Sequence, residues 1–70
     1  MTEYAIVIEQ AGENFSAYVP DLPGCITTGD SLDQVTIHIQ EAIALHLESL
    51  REHGEDVPPP TSRAATVRVA

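Results

Sequence analysis

Apolar and polar residues alternate from Tyr4 to Gln10, with Tyr4, Ile6 and Ile8 on one parity and Ala5, Val7 and Glu9 on the other. A period of two places successive side chains on opposite faces of a strand. The alternation resumes at Phe15, Ala17 and Val19 after Ala11-Gly12-Glu13-Asn14, whose Gly and Asn suit a turn, so the two runs predict a β-hairpin. Pro20-Asp21-Leu22-Pro23-Gly24 reads as a rigid loop, because two prolines fix φ and Gly24 allows a turn other residues resist. Cys25 to Thr28 is β-branched enough for a short third strand, ended by Gly29-Asp30.

The period then changes. Ser31-Leu32-Asp33-Gln34 has the form of a capping box, with Asp33 in the first turn where the helix dipole favours negative charge. Leu32, Val35, Ile39, Ala42, Ile43, His46, Leu47 and Leu50 recur at three- and four-residue spacings and form one stripe able to lie on a sheet. Gly54 suits the position that closes the helix. Ile37 and Leu45 fall off the stripe, among Glu41, Glu48 and Glu52, and are candidates for an oligomer contact. Residues 58–62, beginning Pro58-Pro59-Pro60, read as an extended linker, and Thr66-Val67-Arg68-Val69 alternates again as a fourth strand. The expected architecture is one α+β domain over residues 1–70, β-β-β-α-β, an antiparallel sheet with one helix packed on one face.

A chain of 70 residues buries a limited core, and small scaffolds draw on disulfides, metals or self-association. Cys25 is alone, so no internal disulfide is available, and His38, His46, His53 and Cys25 lack the short paired spacing of a structural zinc site. Self-association remains, and a homo-oligomer is expected. No apolar run is long enough to span a bilayer and the first residues lack a signal-peptide pattern, which together predict a cytoplasmic protein away from membranes.

Charge narrows the partner. Eleven Asp and Glu face only Arg51, Arg63 and Arg68, for a net charge of −8, whereas nucleic-acid binding requires clustered basic side chains. Direct nucleic-acid binding is not expected. A basic protein is the better match, because opposite charge steers encounter. A β-β-β-α-β order also suits metal-dependent nucleases, but Glu9, Asp21, Asp30 and Asp33 do not converge from adjacent strands as two-metal catalysis needs. His46 reads as a core histidine and Cys25 as a small hydrophobe without an activating partner, so no catalytic, metal or cofactor site is assigned.

The series Tyr4 to Ile8, then Tyr18-Val19-Pro20-Asp21-Leu22-Pro23-Gly24-Cys25, Thr28-Gly29-Asp30-Ser31-Leu32 and Glu41-Ala42-Ile43-Ala44-Leu45-His46-Leu47 resembles the HicB family of antitoxins from residue 4 to about 60. The resemblance implies a partial ribonuclease H-like fold. It also implies a small basic HicA-like toxin as partner, an mRNA-cleaving ribonuclease whose active site and RNA surface the antitoxin covers, and assembly as a dimer or tetramer. The form expected is short, without the C-terminal DNA-binding domain many such antitoxins carry. Asp21, Leu22, Pro23 and Gly24 are the expected partner-binding loop, with Glu9, Glu13 and Glu55 supplying acidic steering. An oligomeric scaffold without a toxin and a degenerate nuclease are the competing functions.

Overall fold

The hairpin forms where the alternation predicts it, β1 over Val7–Ala11 and β2 over Asn14–Tyr18, with Gly12 at φ 64° in the turn between them. The structure, a computed structural model, describes residues 2–70. β3, Ile26–Gly29, completes an antiparallel sheet in the order β1-β2-β3. Ile8 lies opposite Ala17, and Ala17 opposite Thr27, which puts one parity of each strand on one face. Helix α1, Leu32–Glu52, crosses that face over β3 and β2 rather than over β1.

Both ends of α1 follow their local chemistry. The Ser31 hydroxyl accepts from the Gln34 amide at 3.0 Å, and the Gln34 side chain reaches back to accept from the Asp30 amide at 2.6 Å. That is a capping box extended by one residue, satisfying donors the first turn leaves free. At the other end Gly54 takes φ 66°, its amide donates to Arg51 and that of Glu55 donates to Leu50, the double bond of a Schellman motif.

The core consists of Ala17, Val19, Leu22, Cys25, Val35 and Ile39, with Tyr4, Ile6, Ile8, Phe15, Ala42, Ile43 and Leu47 packed around it. Gly29 sets the approach of helix to sheet, because a Cβ there would lie 2.6 Å from the Val35 nitrogen. Two sequence expectations need correction. Leu32, placed on the buried stripe, is 54% exposed, since it belongs to the first turn, beyond the sheet that covers Val35 and Ile39. The fourth strand over Thr66–Val69 does not form, and Val67 and Val69 stand exposed at 84% and 83%. Alternation encodes a surface that fits a sheet edge but does not choose the edge, and this tail makes no strand pairing.

Candidate functional site

Register defines two unlike sheet faces. The helix side holds Ala17 and Gly29, while Val7, Tyr18 and Ile26 align across the three strands on the side without a helix. Tyr18 is 40% exposed and Ile26 64% exposed, giving an open apolar row with an aromatic at its centre. Glu9 opposite Ser16, and Ser16 opposite Thr28, form a polar row beside it.

The loop between β2 and β3 turns this row into a hollow. Val19 donates to Cys25 at 3.1 Å, Leu22 to Val19 at 3.1 Å and Cys25 to Leu22 at 3.0 Å, winding residues 19–25 into a tight knot. Gly24 at φ 84° permits that path. Leu22 is fully buried and anchors the knot, a burial worth about 1.5–3 kcal/mol. Tyr18, Ile26, Pro20, Pro23 and Gly24 then wall a hollow of about 320 Å³ with Val19, Leu22 and Cys25. Buried Cys25 has its thiol pushed up by desolvation, so it stays protonated and apolar at neutral pH.

Asp21 points elsewhere. Its Oδ2 accepts from the amides of Thr61 and Ser62, both at 2.9 Å, and its Oδ1 from their hydroxyls at 3.0 and 2.8 Å. The bonds from Ser62 lead those that hold its carboxyl below the ordinary aspartate range. Tyr4 Oη donates to the Pro58 carbonyl at 2.6 Å, so the proline-rich segment is pinned at two points beside the loop.

The seven expected partner residues therefore divide. Pro23 and Gly24 wall the hollow, Leu22 supports it from the core and Asp21 holds the tail. Glu9 flanks the open row, Glu55 lies just past the helix C-terminus, and Glu13 sits in the hairpin turn at the sheet's far end. Ile37 and Leu45 are 58% and 67% exposed on α1. Tyr18 and Ile26 were not among the expected partner residues, although the second apolar parity of the first alternating run, Ala5 and Val7, signalled that the sheet's other face is apolar too. No group of three His, Cys, Asp or Glu side chains able to hold a metal occurs among the described residues.

The family described as the HicB_like antitoxin of bacterial toxin-antitoxin systems matches residues 4–69. A UPF0150 protein of Thermoplasma acidophilum is 35% identical over 66 residues, covering 93% of this chain and 96% of its own. An uncharacterised 14.9 kDa protein of Haemophilus phage HP1 is 38% identical over 55 residues, 79% of this chain, and the match spans only 41% of the phage protein. Among solved structures, a chain of a HicA3 and HicB3 toxin-antitoxin complex superposes with a TM-score of 0.74 at 35% identity, over 84% of this chain and 70% of that one. The N-terminal domain of the Burkholderia pseudomallei antitoxin HicB superposes with a TM-score of 0.72 at 36% identity, over 83% and 69%.

Proposed function

This chain belongs to the HicB-like antitoxin family, and from that premise we propose that it neutralises a small basic HicA-type ribonuclease by covering its active site and RNA-binding surface with the helix-free sheet face. The observation that carries the reading is the likeness to a chain of a HicA3 and HicB3 toxin-antitoxin complex. The chain acts by binding, in the cytoplasm, and performs no reaction.

Physical chemistry supports the choice of face. The aromatic-centred row of Val7, Tyr18 and Ile26 continues into the hollow, and such apolar centres with polar surroundings are typical of recognition surfaces. Glu9 borders the row, and the net charge of −8 suits a partner whose own surface is shaped for phosphates.

The test is co-expression with a basic ribonuclease of the HicA type encoded beside it, scored by growth and by RNA cleavage with purified proteins. The parent chain should restore growth and suppress cleavage. Tyr18→Ala combined with Ile26→Asp should abolish both while circular dichroism stays unchanged, since both side chains are exposed. Full rescue by that variant would refute the assigned face, and failure of the parent chain to bind or rescue would refute the function.

A further inference from the structure

Charge along the chain is split. All eleven acids and Arg51 fall within residues 1–60, a side-chain balance of −10, whereas residues 61–70 hold only Arg63 and Arg68, +2. The cationic part is also the alternating Thr66-Val67-Arg68-Val69 run, which is exposed and unpaired. A segment with strand-forming residues, two bare valines and charge opposite to its own body is matched to a surface like that body.

The sheet offers such a surface at β1. Val19 bonds toward β3, so by alternation Tyr18 bonds toward β1 and the amides of Ile8 and Gln10 face outward. Among the described residues nothing bonds to those outward groups. The opposite edge is partly closed, because His38 Nδ1 donates to the Thr28 carbonyl at 2.8 Å. β1 is also the strand α1 covers least, leaving Ile8, and Ile6 just before the strand, half-buried, and Glu9 projects from its other face. An open edge flanked by under-covered apolar residues and an acid is a template for strand addition.

We infer that this chain self-associates by exchanging tails, with Thr66–Val69 of each copy adding as a fourth strand to the outer edge of β1 in a second copy. Val67 and Val69 then extend the apolar layer over Ile6 and Ile8, and Arg68 lies on the face shared with Glu9. The Asp21 and Tyr4 bonds hold residues 58–62 and fix where the tail departs. Reciprocal exchange gives a closed two-fold dimer in which each contact occurs twice. The inference is independent of the toxin, since it uses the edge of the sheet and leaves the row of Val7, Tyr18 and Ile26 open.

Light scattering on the full chain, with hydrogen exchange on the same samples, tests it. The full chain should run at twice its 7.5 kDa mass, with slow exchange at the Ile8 and Gln10 amides. Val67→Asp with Val69→Asp should give a folded monomer in which those amides exchange at least about tenfold faster. Arg68→Glu should weaken the dimer, and adding Glu9→Arg should restore it. A monomeric full chain overturns the inference, including one whose Ile8 and Gln10 amides are protected by its own folded-back tail. A dimer that survives the valine changes but is lost on Ile37→Glu with Leu45→Glu overturns it in favour of the helix face.

Discussion

Asp21 shows how far a single side chain's role lies from its sequence neighbourhood. The loop motif suggests a turn former or a contact for a partner, yet its carboxylate holds Thr61 and Ser62, 40 and 41 residues away. No local pattern encodes that pairing, because it depends on where α1 ends and on the direction in which the prolines send the chain. Asp21→Asn should leave the fold intact while the Thr61 and Ser62 amides lose their protection from hydrogen exchange; unchanged protection would show the bonds to be dispensable. The sign of the pH effect follows from the lowered folded-state pKa. A depressed carboxyl contributes above its unfolded pKa and loses that contribution as pH falls through the folded value. The tail therefore stays latched across neutral pH and releases only below the ordinary aspartate range of about 4, which the Thr61 and Ser62 amide signals would report in an NMR titration.

The three strands and the helix were legible in the sequence because each is specified by short-range chemistry. Period two, a turn with Gly12, the Ser31 cap and the Gly54 terminator all act within a few residues of where they are written. The fourth strand shares the first kind of signal, but alternation does not choose a partner edge, and the segment is unpaired within one copy. The open apolar row was half legible: mixed parity in β1 announces a second apolar face, but only register aligns Val7, Tyr18 and Ile26. Packing between elements is written least openly, and Gly29 is the sharpest instance. It reads as a strand breaker, whereas it sits in β3, where an added Cβ would lie 2.6 Å from the Val35 backbone nitrogen. Backbone cannot swing aside as a flexible side chain would, so Gly29→Ala must push α1 off the sheet. Overpacking of this kind costs about 1–3 kcal/mol, a large share of what so small a core supplies. Urea unfolding should show a lower midpoint by that margin, and an unchanged midpoint would mean the helix rides more loosely on β3 than the contact implies.

At the scale of the whole molecule, charge and shape act together. The acids are spread over β1, the hairpin turn, the exposed side of α1 and the segment after it, while the sheet's open face keeps an apolar centre. Binding should therefore separate into two parts with different salt responses. Long-range attraction between an acidic antitoxin and a basic toxin accelerates encounter and is screened when the Debye length shrinks from about 10 Å at 0.1 M salt to about 3 Å at 1 M. Under the proposed binding mode the apolar row and hollow would act only at contact and be insensitive to that screening. Raising salt from 0.1 to 1 M in stopped-flow mixing should lower the association rate by an order of magnitude or more, with a much smaller change in dissociation. Tyr18→Ala should give the reverse, faster dissociation with association nearly intact, because an exposed aromatic contributes contact area and no charge. If salt instead acted chiefly on dissociation, the acids would lie inside the contact as paired charges, and the helix-free face would no longer be its centre.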